Sequence, residues 1–536
     1  MKPTISSPFQ PRPLPSGTLT PYTGPWTFST AAHLLRRTTF GPSLKMINEA
    51  ETQGLNSTLD ELFTEGRFPT RPLNPYATND PEVKVGETWI NADQSPASGL
   101  NLYRIYSLTS WYIKKLQSEE FNILEKMVLF WHNHFVVSEI ESPALFYNYF
   151  ETLEKFALGN FREFTKEVTV NPGMLRYLNG NTNTKQALNE NYARELLELF
   201  TIGKGPIAAP GDYTTFTEQD VRAISKALTG WNYTTPYKIV LAFDNSKHDT
   251  SVKTLSHRFG NQTIANLGDQ EYKKVVDIIF EQDECSRFIA RELYKWFVNH
   301  HLTQQIEVDI IEPMAKMIRD DNYVIKNAVR ALLNSEHFFS DAVYGCMIKA
   351  PMDFIMSISN SLKFPVPNQL HDNYAYFNHL WTDTHLMGQT YSEIPEVAGW
   401  KAYYQEPLFY RHWINGVSLQ DRKRWIDKFI NKGISFNSII GIKIPVLDVI
   451  KEFSDPGNIT SLLTELGQLI FTHPLTNSQT AIAKDVILKG LPNYEWTVEY
   501  EDYVNDPNNK QKKDAIENKL RALFTHLMNL PEFQLQ

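Results

Sequence analysis

The stretch Glu125-Lys126-Met127-Val128-Leu129-Phe130-Trp131-His132-Asn133-His134-Phe135-Val136-Val137 constrains the chain more than any other. It contains no Gly or Pro. At about 100° per residue its apolar side chains fall on every side of a helix. Met127, Phe130 and Trp131 lie one way, Leu129 and Val136 another, and Val128 and Phe135 a third. A helix that is apolar all round is a buried one. This one also carries Glu125, Lys126, His132, Asn133 and His134. Buried polar groups need partners, so other segments must bring them.

The texture around that stretch is helical. Helical periodicity is read near 43–53, 55–63, 99–118, 142–158, 161–169 and 189–202, then near 270–281, 284–299, 306–319 and 323–334. Ser29 or Thr30 is expected to cap a first helix through Arg37, and Thr217 with Asp220 to open another as a capping box. Pro351 leads a helix to about 363, and the spacing predicts loops around 365–407. The run Tyr237-Lys238-Ile239-Val240-Leu241-Ala242-Phe243 is β-prone and predicts a small hairpin near 237–259. The expected fold is mainly α, a multi-helix globular bundle with that hairpin excursion. Its expected parts are an extended arm at 1–28, a helical core at 29–363, a looser loop-rich segment at 364–425 and a C-terminal helical region at 426–536.

With 52 Lys and Arg against 61 Asp and Glu, the net charge is −9. That argues against a general electrostatic nucleic-acid binder, which needs a basic face. Two cysteines, Cys285 and Cys346, are too few for a disulfide framework and read as free buried thiols. No apolar run reaches the roughly 18 residues of a membrane helix. The start, Met1-Lys2-Pro3-Thr4-Ile5, has no charged segment followed by an apolar one, which reads as cytoplasmic.

Several groups suggest chemistry. On the 189–202 helix, Glu190, Arg194 and Glu198 form an i, i+4, i+8 ladder opposite an apolar face. Such a ladder is either a solvated, ion-paired surface or an acidic face closed against the buried helix. In the second case Glu195 and Glu198 project carboxylates into one pocket, with Asn189 and Arg194 beside them. His132 and His134 are two apart and point about 200° away from each other, so a regular helix cannot use both on one ion. A divalent metal would need His132, Glu195 and Glu198 from two helices. Taken singly, each His reads first as a satisfied core residue. His248-Asp249 in a loop is either an acid/base or ligand pair or an exposed turn. Gly399-Trp400 either walls a pocket or pins a loop. There is no Gly-x-Ser-x-Gly elbow, P-loop, Gly-x-Gly-x-x-Gly or Cys-x-x-Cys, which counts against standard serine hydrolases, nucleotide-driven enzymes, Rossmann oxidoreductases and zinc ribbons.

Taken together, Ala32-His33-Leu34-Leu35-Arg36-Arg37 with Phe40-Gly41, the Glu125-Lys126-Met127 to Trp131-His132-Asn133-His134-Phe135 block, Gly159-Asn160-Phe161-Arg162, Asn189-Glu190-Asn191-Tyr192-Ala193-Arg194-Glu195-Leu196, Leu228-Thr229-Gly230-Trp231 and Val397-Ala398-Gly399-Trp400 resemble one bacterial family. It is catalogued as domain of unknown function 1800. The resemblance spans about 30 to 425 and leaves the last hundred or so residues largely outside. It implies a mostly helical protein with no established activity, often exported, whose genes often neighbour those of a sulfatase-like family. The chain departs from it in lacking a recognisable signal peptide and in having Ile394-Pro395-Glu396 where the family shows Pro-Pro-Asn.

Two functions remain open at this stage. One is a hydrolase-like enzyme, acid/base or metal-assisted, with a polar pocket between helices 121–137 and 189–202. Its catalytic groups would be His132, His134, Glu195 and Glu198, and Glu125, Asn133, Asn189, Arg194, His248, Asp249 and Trp400 would bind. The other is a non-catalytic helical scaffold or partner protein, acting with a sulfatase-like protein, whose polar residues form an internal network. An enzyme needs these side chains on an open cleft; a scaffold seals them in, paired.

Overall fold

The computed structural model describes residues 17–64, 70–76, 80–92, 100–117, 120–138, 142–234, 239–437 and 439–536. Residues 1–16 of the expected arm and Tyr237 and Lys238 of the β-prone run lie outside them.

The fold is mainly α, with small two-stranded antiparallel sheets. The central helix runs Leu124–His134 and is buried from Glu125 through His132. It stops short of Val137 because Phe135 leaves helical geometry (φ −97°, ψ 62°), and the two β-branched residues that follow favour extended backbone. Its aromatic face meets the helix Pro143–Phe156, where the Trp131 indole N–H donates to Ala157 O at 2.9 Å. It also meets the helix Phe161–Thr169, where Trp131 stacks on Phe161 with centroids 5.5 Å apart.

The first helix is Phe28–Thr38, capped by Thr27 with Thr30 at N3, two or three residues earlier than the expected Ser29 or Thr30 cap. The capping box of Thr217 and Asp220 forms as read. In the expected arm, Tyr22 N donates to Asn334 O at 2.7 Å and Glu336 N to Thr20 O at 2.9 Å, so that stretch runs beside 334–336.

One expectation fails outright. The 365–407 stretch holds a 17-residue helix, Leu370–Leu386, packed along Leu100–Leu116. Its His, Asn, Asp and Thr residues are poor helix formers, and buried and polar positions alternate without a clean 3.6 period, so packing decides its conformation. A small hairpin does involve the β-prone run, but it pairs Val240–Phe243 with Trp231–Thr234, ahead of the expected 237–259 span. Three further pairs, at 207–213, 253–264 and 434–442, were not expected.

One cluster of buried apolar side chains runs from Ala31 to Phe533. Within it, the C-terminal stretch closes on the loop before Pro351: Lys349 N donates to Gln534 O at 2.7 Å. Cys285 and Cys346 are free and buried. Among the described residues, no helix is long and apolar enough to cross a membrane.

Candidate functional site

His132 is fully buried. The Ser392 amide N–H donates to its Nε2 at 3.3 Å, so Nε2 is an acceptor and Nδ1 carries the proton. Nδ1 then donates to the Tyr149 hydroxyl at 3.0 Å, and that hydroxyl donates to Phe135 O at 2.7 Å. Phe150 and Tyr391 face the ring at 4.9 and 5.0 Å between centroids. Burial in this apolar box pushes the His132 pKa down to about 3. The imidazole is therefore neutral, in one tautomer, with both nitrogens engaged.

Asn133 and Gly399-Trp400 explain each other. Asn133 Oδ1 accepts the Trp400 amide N–H at 2.9 Å. Gly399 sits at φ +96° with its Cα against the Asn133 side chain, which admits only a residue without Cβ. Trp400 is buried, edge-on to His132 at 6.0 Å. The Gly-Trp pair thus pins a loop to the central helix.

His134 reaches the other predicted helix. Its Nε2–H donates to Phe200 O at 3.0 Å. Burial pushes its pKa down to about 4, against the opposing pull of Glu292 and of that bond. Phe200 belongs to a π-helical turn, Leu196–Thr201, which continues the helix Asn191–Glu195. Phe200 O is among the last main-chain carbonyls of this helix, which have no intrahelical partner, and the His134 ring satisfies it. The two helices meet here through Phe200, at this bond and at the Phe135–Phe200 ring contact, while Arg194 and Glu198 of the acidic ladder pair elsewhere.

The remaining candidates are dispersed. Glu125 pairs with Lys115 at 3.3 Å, and Lys115 also pairs with Glu154. Arg194 forms a two-toothed ion pair with Glu218 at 2.8 and 2.7 Å. Glu198 pairs with Lys204 at 3.3 Å, not with Arg194. Glu195 is half-buried, has no hydrogen bond or ion pair among the described residues, and is pushed up first by burial and then by Glu198. Asn189 Oδ1 accepts from Asn191 N at 3.0 Å and caps the helix start. Asp249 folds a turn onto Ser251 N at 2.8 Å.

His248 is not on an exposed turn. It is fully buried, with Nδ1 at 2.9 Å from Thr229 O and Nε2 at 3.0 Å from Glu271 Oε1. Lys253 takes the other Glu271 oxygen at 2.7 Å, and both side chains are wholly buried. Gly230 (φ +91°) lets the strand leave beside this triad, since a Cβ there would meet Asp244 O at 2.8 Å. Among the described residues, no group of three or more His, Cys, Asp or Glu side chains is arranged to hold a metal ion.

A second polar cluster went unread in the sequence. Lys126 forms an ion pair with Asp353 and lies 4.0 Å over the Phe40 ring. Around Asp353 gather Arg36, Lys349 and Gln536 along one crevice, and Arg37 and Gln536 along another. Arg422 lies within electrostatic reach of both Asp353 and Lys349. The readable signal was Lys126, a cation on a helix with no solvent face. Its partners come from positions hundreds of residues away.

A family model described as "Protein of unknown function (DUF1800)" matches residues 33–535. The match includes the last hundred residues, which the motif blocks alone had left outside. No curated protein and no solved structure matches the chain.

Proposed function

The chain belongs to the DUF1800 family, and we propose that it acts as a non-catalytic helical scaffold or partner protein. The observation that carries this reading is His132: neutral, buried, and bonded at both nitrogens. A group poised for acid/base work needs a pKa near the working pH and access to its proton. Asn133 and His134 bond in the same inward manner, Asn133 to the Trp400 loop and His134 to Phe200 O, so the central helix is tied to two further points of the fold. The polar centre is then a network that fixes packing, and function falls to the surface. The partner is a sulfatase-like protein, as the family resemblance implies. Mixing the two purified proteins and measuring mass by light scattering tests this. A heteromeric species supports the reading; two unassociated proteins at tens of micromolar contradict it.

One observation favours a hydrolase-like enzyme instead. Glu195 and Glu198 are neighbouring, half-buried carboxylates at a π turn, and such turns recur at functional sites. Under that reading Glu195 is the acid, because burial and Glu198 raise its pKa. Glu195→Gln would then abolish hydrolysis in a screen of ester, glycosidic and phosphate substrates while leaving the unfolding midpoint in place.

A further inference from the structure

A crevice lies where the end of the first helix, the Pro351–Ser361 helix and the Leu469-Ile470 pair come together. Its enclosed space is about 20 Å³, room for one or two waters, and it opens to solvent at its mouth. Asp353 is the one acid among its lining residues, and Asp353 already holds Lys126 and accepts from Gln536 Nε2 at 3.3 Å.

The cations along it are poorly matched. Lys349 is 5% exposed, with Nζ 4.1 Å over the Phe533 ring and no hydrogen bond or ion pair from its ammonium among the described residues. Arg36 uses only Nη2, donating to Gln468 O at 2.6 Å and Leu469 O at 3.0 Å, so its Nε and Nη1 donors are unused there. Behind them Arg422 is fully buried, donates to Lys349 O and Gln534 Oε1 at 2.8 and 3.0 Å, and faces Phe354. Arg37, also buried, bonds Val343 O and Gln536 O at 2.8 and 3.0 Å.

We propose that this crevice is an oxyanion-binding site, in which the Lys349 ammonium and the unused Arg36 donors grip a phosphate- or sulfate-type group, with Arg422 and Arg37 behind it. Burying cations without counter-charges is unfavourable, and an entering anion relieves it. The enclosed volume is too small for a whole metabolite. It takes one or two oxygens of a terminal group, with the rest of the group and of the ligand in the mouth. Guanidinium and ammonium donors together are a common means of holding such groups. Burial, Arg36 and Arg422, against the pull of Asp353, push Lys349 down to about 7, so an anion that restores its charge takes up a proton. The inference is independent of the scaffold reading.

The test is calorimetric titration of the full chain with inorganic phosphate, inorganic sulfate and glycerol 3-phosphate, with sodium chloride at equal ionic strength as reference. Each titration is run in two buffers of different ionisation heat near neutral pH. The expected result is saturable binding of an oxyanion with proton uptake, weakened at least about tenfold in Lys349→Met, which also loses the uptake. Tighter glycerol 3-phosphate than inorganic phosphate assigns the site to an esterified group; the reverse order assigns it to the free ion. Should Lys349→Met fail to fold, Arg36→Gln, on a less buried residue, carries the same comparison. Oxyanions that act no differently from chloride, or a variant that binds as the wild type does, overturn the proposal.

Discussion

Gly399 lies so close to Asn133 that a Cβ on it would stand 2.5 Å from Asn133 Oδ1 and 2.9 Å from its main-chain oxygen. The same Oδ1 accepts the next amide, that of Trp400. Two motifs 266 positions apart are thus one contact, with a small residue required on one side and an acceptor on the other. Gly399→Ala meets both the contact and the left-handed backbone (φ +96°). The expected loss is about 2–4 kcal/mol, read from urea unfolding. Asn133→Ala removes only the acceptor and is expected to cost about 1–3 kcal/mol.

Stability should fall in acid through buried histidines. His132 and His134 are pushed to about 3 and about 4, and His33 well below the usual 6.5, each mainly by burial. Below 6.5 the unfolded chain binds protons that the native one refuses, so stability decreases as pH falls. This continues until each native pKa is reached. Each group contributes up to about 1.4 kcal/mol per pH unit in that window. His132→Gln is expected to flatten the dependence of the urea midpoint on pH by one such share.

The buried triad should be intolerant of losing its acid. Glu271 faces both His248 and Lys253 with no solvent at any of the three. Glu271→Gln leaves a buried ammonium without its counter-charge. The expected cost is about 3–5 kcal/mol. Lys253→Met with Glu271→Gln together should recover part of it, since removing both charges is less costly than stranding one. A double-mutant cycle on thermal unfolding reads this directly.

The central helix was legible because its periodicity has no polar face, and that forces burial whatever surrounds it. The meeting of the central helix with the 189–202 helix was legible as a need for partners, though not as the particular bond from His134 to Phe200 O. Leu370–Leu386 was not legible, because a helix held by packing against Leu100–Leu116 needs no amphipathic stripe of its own. The buried setting of His248 was not legible for a similar reason. Its acid, Glu271, lies 23 positions on, while the adjacent Asp249 that drew attention only folds a turn. The cations around Asp353 are ordinary in sequence and unusual only once Arg36, Lys126, Lys349 and Arg422 are brought together by folding.

His132, bonded at both nitrogens inside the core, is the residue on which the sealed network turns. Ring-nitrogen NMR of histidine-labelled protein, with His132→Gln to assign the signal, observes that directly. The predicted result is a single neutral tautomer, protonated at Nδ1, unchanged from mildly alkaline pH down to the onset of acid unfolding. A His132 signal titrating near 6.5, or exchanging between tautomers, would contradict the sealed network and return the central helix to the list of acid/base sites.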